Sequence, residues 1–332
     1  MKARLHNRHS LRTCGDEWCS PRGERDACAL RYARSESESF RASRTSICKN
    51  VIAMPIYTPT TLHEAVDIYA QHSDASLIAG GTDFMVEVNF NHRKPSTVIS
   101  LARVDELRTW RIDAEQSIVR IGSTVPFSVL EKADFAALVP ALSHAARTVG
   151  SPQIRNTASL GGNLGTCSPA GDSLPVLSAL DAQIEVSSLS GTRQVSIHEF
   201  MVGPKKNALA TGEIVSAIVV PIANGFQDYA KVGVRNAMVI SIASACLAFQ
   251  DGVCRLALGS VGPTIVRCRE AEAFLQQEIT KTGSPTPEVI QKFAQLASDT
   301  ARPIDDHRST ATYRRHAVEV MARRLAMRSF SL

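Results

Sequence analysis

From residue 54 onward, apolar residues fall into two rhythms that mark out helices and strands in turn. Leu62, Ala65, Val66 and Tyr69 stand at i, i+3, i+4 and i+7, the spacing of one helix face. Thr60 or Thr61 followed by Glu64 supplies a hydroxyl cap and a first-turn acid, so the helix opens there. Residues 76–79 form a short apolar strand running into Gly80-Gly81-Thr82-Asp83, and residues 98–101 and 118–122 read as further strands. Helices follow over 127–132 and 136–149, the second with Leu138, Leu142 and Ala145 on one side. His144, inside that helix, reads as an ordinary surface or core histidine rather than a ligand.

Beyond residue 181 the pattern becomes strand-rich. Residues 183–187 and 193–197 make a hairpin around Ser190-Gly191, and 214–221 is another strand. A new run begins at 231–235, continues through 239–250, turns at Asp251-Gly252 and returns over 254–260. Helices over 269–278, 287–300 and 310–328 close the chain. The last is rich in arginine, which we read as a solvated or subunit-facing surface.

Residues 148–182 interrupt both rhythms. Ser159, Gly161, Gly162 and Asn163 cluster within five residues, Thr166 and Ser168 follow, and a carboxylate stands at Asp172. Small residues, hydroxyls and backbone N–H groups are the inventory that phosphate oxygens or a ribityl or ribose chain require. Asp172 would accept from a hydroxyl of such a chain. Past Pro169 and Gly171, residues 176–180 read as a short helix or strand. Gly80-Gly81-Thr82 at the end of its strand is a second candidate phosphate cradle, since glycine permits positive φ and bares the backbone. It is neither G-x-G-x-x-G nor a P-loop. A plain turn at Gly80-Gly81 and a tight bend where backbones cross at residues 159–163 are the competing readings.

Composition narrows the field. At 332 residues and 44% hydrophobic, the chain can bury two cores. No run of about 18 apolar residues occurs, so no membrane span is expected. The net charge of +5 lies wholly in residues 1–53, with eleven Lys/Arg against six acids; residues 54–332 balance at 26 each. A neutral body without a basic stripe argues against nucleic acid. Residues 1–53 lack periodicity and read as a disordered leader or a mis-assigned start, Met54 being the favoured natural one. A transit peptide is disfavoured by the six acids, and no secretory signal is seen. Cys14-x4-Cys19 opens like an iron–sulfur loop, but Ser20-Pro21-Arg22 stands where its third cysteine is needed. Cys167, Cys246, Cys254 and Cys268 are expected to be free buried thiols of a cytoplasmic protein.

Four segments together resemble the FAD-binding medium subunit of the molybdenum hydroxylases, the xanthine dehydrogenase and carbon monoxide dehydrogenase flavoprotein family. They are IYTPTTLHEAVDIYA, LIAGGTDFM, QIRNTASLGGNLGTCSPAGDSLPVLSALDA and RPIDDHRSTATYRRHAVEVMARR, within about residues 54–330. The resemblance implies an α+β fold: a vanillyl-alcohol-oxidase-like (PCMH-type) FAD-binding domain of two subdomains over 54–226. A smaller C-terminal domain over 227–332, with a three-stranded antiparallel sheet and helices, would follow. It implies FAD as the cofactor. Leu77, Ile78, Ala79, Gly80, Gly81, Thr82, Asp83 and Phe84 would wrap its pyrophosphate, and Val149 and Gly150 would touch it. Ser159, Leu160, Gly161, Gly162 and Asn163 match a second pyrophosphate and ribityl loop. Thr166 and Asp172 match hydrogen-bonding positions, Val215 an apolar contact, and Lys231 a lysine close to the flavin ring. No residue is assigned acid–base catalysis.

The implied partners are a molybdenum-cofactor large subunit and a [2Fe-2S] small subunit in a heterotrimer. Electrons from the clusters would pass through FAD to NAD+, oxygen or a quinone. The absence of a preceding iron–sulfur domain fits the separate-subunit arrangement. No cysteine-bearing insertion lies between Gly81 and Gly122, so no extra cluster is expected. Cys167 replaces a commonly smaller residue and is expected to pack. A stand-alone oxidase of the vanillyl-alcohol group and a scaffold that binds no FAD are the alternatives; the 5% aromatic content disfavours the first.

Overall fold

The computed structural model describes residues 54–332. The expectations for residues 1–53 and their cysteines lie outside the described residues. The first layer is a three-stranded parallel sheet of β1 (Ile56–Tyr57), β2 (Ser76–Ile78) and β3 (Val98–Ser100) in the order β1-β3-β2, with α1 (Leu62–Gln71) and α2 (Phe84–Asn89) as its connections. Thr61 caps α1 by accepting from the Glu64 N–H, and the Glu64 carboxylate accepts from the Thr60 N–H at 2.7 Å. The two bonds tie residues 60 and 61 to the first turn and fix the helix start. Ala65, Val66, Ile99, Val104 and Leu107 form the small core.

The second layer is a five-stranded antiparallel sheet. It contains β4 (Trp110–Asp113), β5 (Ile118–Gly122), β6 (Gln183–Ser188), β7 (Gly191–Ser196) and, after a two-stranded hairpin of β8 (Met201–Gly203) and β9 (Lys206–Asn207), β10 (Ile214–Pro221). The order is β4-β5-β10-β6-β7, with a bulge in β10 between Val215 and Ala217. Between β5 and β6 run α3 (Phe127–Leu130), α4 (Ala133–Ala136), α5 (Pro140–Thr148), α6 (Pro152–Arg155), α7 (Leu160–Thr166) and α8 (Ser173–Ala179); α9 (Ile197–Phe200) follows β7. The expected helix over 136–149 is divided because Pro140 occupies the first turn of α5, where its missing N–H costs nothing. Residues 160–166, where a tight bend was the competing reading and no helix was expected, are helical: the Ser159 hydroxyl accepts from the Gly162 N–H and caps α7 despite its three glycines.

The third layer is an antiparallel sheet of β11 (Gln227–Val232), β12 (Ala243–Gln250), β13 (Val253–Gly259) and β14 (Val266–Arg267), covered by α10 (Arg269–Thr282), α11 (Pro287–Thr300) and α12 (Ala311–Ser329). Three long strands match the expected sheet, and the two-residue β14 adds a fourth at its edge. β12 starts later than the pattern suggested, because residues 233–240 loop outward with Met238 at positive φ and the Arg235 side chain bonded to the Ala237 and Met238 carbonyls. The helices pack Leu275, Phe293, Val318, Met321 and Leu325 onto Leu247, Leu256 and Leu258. The four cysteines among the described residues are free and buried.

Candidate functional site

A cleft of about 880 Å³ opens between the parallel sheet and the antiparallel sheet. That lies toward the upper end of the roughly 300–1,000 Å³ typical of small-molecule and cofactor sites. One wall is the loop that leaves β2, residues 76–84. The opposite wall is Ser123-Thr124 after β5, the start of α7, residues 168–172 leading into α8, and residues 207–215 leading into β10. Met238, Val239 and Ile240 reach it from the loop before β12.

The glycines of the two walls do different things. A Cβ on Gly80 would stand 1.8 Å from the Thr157 carbonyl oxygen, and one on Gly161 would stand 2.4 Å from the Ser123 Cβ. These two are glycines because backbones cross there. The Gly161 N–H donates to the Ser123 carbonyl at 2.8 Å, which fixes that crossing. Gly81 has φ +71°, a left-handed conformation that lets the loop turn away from β2. Gly162 meets only the Ser159 hydroxyl at 3.3 Å, and Gly165 meets nothing within 4 Å, so both present bare backbone to the cleft. The glycine segments thus combine close backbone crossings at Gly80 and Gly161 with open backbone at Gly162 and Gly165.

The N–H groups of Gly80, Gly81, Thr82 and Asp83 donate no hydrogen bond among the described residues. Four successive unpaired amides facing a cleft are a donor set for anionic oxygen. The Thr166 hydroxyl donates to Asp83 at 3.2 Å and ties the two walls together. At the mouth, Lys205 in the β8–β9 turn donates to Glu87 of α2 at 3.0 Å, and Arg93 lies 3.6 Å from the same carboxylate. The Lys205 bond, then its charge and that of Arg93, lower the Glu87 carboxyl from its ordinary value. Arg193 does the same for Glu213. Lining cations are thus committed to lining acids, and the cleft offers an anion amides rather than a free cation.

Asp172 stands at the N-terminus of α8 with its side chain 8% exposed. Its Oδ1 accepts from the Tyr229 hydroxyl at 3.0 Å, and its Oδ2 accepts from Lys231 Nζ at 2.5 Å and from the Thr148 hydroxyl at 3.2 Å. Burial pushes the carboxyl above its ordinary value against the pull of Lys231, Tyr229 and Thr148. Tyr229, fully enclosed, is raised well above the usual phenol range by burial and by the Asp172 charge. Cys167, at the C-cap of α7, is raised by burial and lies beneath the wall rather than in it.

Of the residues expected at the site, Leu77 through Phe84, Val149, Gly150, Ser159, Gly161, Gly162, Asn163, Thr166, Asp172 and Val215 all line the cleft. Two do not. Leu160 turns into the core with no exposed surface, as the first residue of α7 on its buried side. Lys231 lies behind Asp172, where its ammonium also donates to the Thr148 carbonyl at 3.0 Å, instead of on the cleft wall. Ser123, Thr124, Lys205, Asn207 and residues 238–240 line the cleft without having been singled out. Only Asn207 had a readable signal, a polar residue in a short turn-rich stretch before a strand. Among the described residues no group of His, Cys, Asp and Glu is placed to hold a metal ion, and no helix is long and apolar enough to cross a membrane.

Comparison with known proteins gives a consistent picture. Residues 50–223 match the model of the FAD binding domain in molybdopterin dehydrogenase, and residues 228–329 match the CO dehydrogenase flavoprotein C-terminal domain. The chain is 32% identical to the nicotinate dehydrogenase FAD-subunit of Eubacterium barkeri, over 81% of this chain and 93% of that protein. It is 28% identical to the xanthine dehydrogenase FAD-binding subunit of Escherichia coli O157:H7, over 80% and 92%. Among solved structures, a carbon monoxide dehydrogenase chain of Hydrogenophaga pseudoflava superposes with a TM-score of 0.76 at 28% identity, covering 84% of this chain and 97% of that one. Quinoline 2-oxidoreductase of Pseudomonas putida 86 shares the fold, with a TM-score of 0.77 at 24% identity over 84% and 97%.

Proposed function

The chain belongs to the family of FAD-binding subunits of molybdopterin dehydrogenases, and from that membership we propose that it relays electrons between a partner's [2Fe-2S] clusters and NAD+ or another soluble acceptor. It is an oxidoreductase flavoprotein subunit whose cofactor is FAD. The observation that carries the assignment to this cleft is the run of unpaired N–H groups at residues 80–83 facing the bare backbone of Gly162 and Gly165. The cleft volume and donor set fit a dinucleotide whose pyrophosphate is held by amides. FAD supplies the redox chemistry when bound; the chain supplies position, access and electrostatics.

In this reading the loop 77–84 and the start of α7 hold the pyrophosphate, and Thr166 and Asp83 lock the two together. Asp172 accepts a hydrogen bond from the cofactor, and Val149, Gly150 and Val215 bound it on the apolar side. The partners are a molybdenum-cofactor large subunit and a [2Fe-2S] small subunit in the cytoplasm. The substrate of the complex would meet the large subunit, not this chain.

The test is an absorbance scan of the purified chain with and without added FAD. Flavin bands near about 370 and 450 nm at one FAD per chain are expected. A colourless protein that takes up no FAD would overturn the reading. Reduction of the bound flavin by a purified [2Fe-2S] partner, followed by reoxidation with NAD+, tests the relay itself.

A further inference from the structure

We infer, on the reading of this chain as an electron relay, that the loop over 301–309 is a docking ridge for the [2Fe-2S] subunit. The partner surface it fits has an apolar centre and an acidic rim.

The loop has no regular structure, yet it is tightly braced. Helix α11 ends at Thr300 because Pro303 follows, and the residue before a proline disfavours helical backbone. The Arg302 N–H then donates to the Val261 carbonyl at 2.8 Å. Asp305 accepts from the Ala311 N–H, and Asp306 accepts from the N–H groups of Arg308 and Ser309 at 2.9 and 3.1 Å. Arg314 of α12, 4% exposed, ties three loops together. It donates to Asp306 at 2.6 Å, to the Ile242 carbonyl at 2.8 Å and to the Ser260 carbonyl at 2.9 Å. The Ser260 N–H in turn donates to the carbonyl of Pro169, next to cleft-lining Ala170. The loop is thus fastened to the rim of the cleft without lining it.

What this frame presents outward is apolar. Ile304 is 71% exposed, the most of any large apolar side chain among the described residues. Met238 and Ile240 on the loop before β12 are 54% and 53% exposed. Ile304 and Ile240 each stand two residues from a group that Arg314 holds, Asp306 and Ile242. Single exposed apolar side chains are ordinary. One carried on a braced loop differs, because little backbone freedom is left to lose on association.

Charge indicates what covers the ridge. Residues 233–242 and 301–316 carry five arginines against Asp305 and Asp306, a net +3, whereas residues 54–332 balance overall. Both acids are turned onto the loop's own donors, so the charge facing outward is positive. An apolar centre with arginines around it is the anatomy of a protein interface. Its complement is an apolar patch ringed by carboxylates. Electrons cross protein only over short distances, so the subunit that delivers them must seat beside the cleft, and this ridge stands there.

The experiment uses the full FAD-loaded chain and the purified [2Fe-2S] subunit, with binding measured by titration calorimetry at low and high salt. Wild-type binding should weaken as salt rises. Ile304→Ser should weaken it by about tenfold, as truncation of an anchor does, and Ile304→Glu by more, since it sets a carboxylate against an acidic rim. Arg302→Gln should weaken it by about threefold and flatten the salt dependence. Leu189→Ser, at a side chain 64% exposed in the β6–β7 turn, should change nothing. FAD affinity and the urea midpoint of Ile304→Ser should match the wild type, because the side chain is exposed. Flavin reduction by the reduced partner should slow at low partner concentration and recover at saturation. If Ile304→Glu folds poorly, Ile304→Ser and Arg302→Gln carry the same test. Wild-type affinity in the Ile304 variants, salt-independent binding, or a loss confined to the molybdenum subunit or to self-association would overturn the inference. A wild-type chain that binds no FAD would instead bring down the relay reading beneath it.

Discussion

Helix α8 carries an aspartate at each end, and the two meet the C-terminal domain in opposite ways. Asp172 is buried at the N-terminus and has one cationic partner, Lys231, with neutral donors from Tyr229 and Thr148. Asp181, just past the C-terminus, is 39% exposed and has three partners: His198 Nε2 at 2.8 Å, Arg255 Nε at 2.6 Å and Arg267 at 2.7 Å. A carboxylate is favoured by the helix dipole at the first end and opposed at the second, so Asp181 needs its extra cations. Burial lifts both carboxyls. At Asp172 burial wins; at Asp181 the His198 bond and the Arg267 and Arg255 guanidiniums overcome it and hold the group well below the carboxylate range. Asp181 faces away from the cleft and is saturated with cations, as a staple between domains should be. Asp172 has a single counter-ion and lines the cleft.

The largest effect expected from breaking this contrast is at Asp172. Asp172→Ala leaves Lys231 buried with only the Thr148 carbonyl, and a buried charge stripped of its partner costs about 3–5 kcal/mol. Urea unfolding of the cofactor-free chain measures it, and adding Lys231→Met should recover most of the loss. If Asp172→Ala unfolds with the wild type, Lys231 is not held as described. Next comes Gly161→Ala, where a Cβ would meet both the Ser123 Cβ and, at 2.6 Å, its carbonyl oxygen. Overpacking of that kind costs about 1–3 kcal/mol, read as a lower urea midpoint.

The Asp181 staple sharpens the contrast through pH. Its folded carboxyl lies below the unfolded value of about 3.9, so its stabilisation is full above about pH 4 and is lost as pH falls through the folded value. Asp172 runs the other way. Its carboxyl is raised, so its ionisation opposes folding increasingly as pH rises from about 4 through the folded value. Asp181→Asn should therefore flatten the acid limb of the stability curve, at a cost of about 1–2 kcal/mol at neutral pH; Arg267 keeps Glu272 at 2.8 Å, which limits the loss. An acid limb left unchanged by Asp181→Asn would show that the staple contributes nothing.

How much of this was legible in the chain follows from how local each cause is. Helix α11 over 287–300 and the capped start of α1 could be read, because cap and periodicity lie within the element. The two glycine segments could be recognised as unusual, because bare backbone and hydroxyls are visible in the residue types. What each glycine does could not. Gly80 answers to a carbonyl at Thr157 and Gly161 to Ser123, and only the folded chain brings those neighbours together. The same holds for Lys231. Family resemblance suggested a lysine beside the flavin ring, and its bonds to Asp172 and to the Thr148 carbonyl depend on β11 crossing the end of α8. Helix α7 was hidden because three glycines lower its intrinsic propensity, and the cap at Ser159 is a weak signal beside them.

The smallest effect on stability belongs to Gly162→Ala, and it is the most telling beside its neighbour Gly161. An alanine Cβ at 162 meets only the Ser159 hydroxyl, at 3.3 Å, and alanine gains up to about 1 kcal/mol over glycine within a helix. The urea midpoint of the cofactor-free chain should stay level or rise slightly. The methyl would nevertheless stand on the cleft wall, where the bare backbone is what the amide cradle requires. FAD affinity should therefore fall by about tenfold with no loss of fold, as one misplaced contact of about 1.4 kcal/mol implies. Fluorescence titration beside the unfolding curve separates the two readouts. A Gly162→Ala chain that binds FAD as the wild type does would mean this backbone faces open space, and the cradle would then rest on residues 80–83 alone.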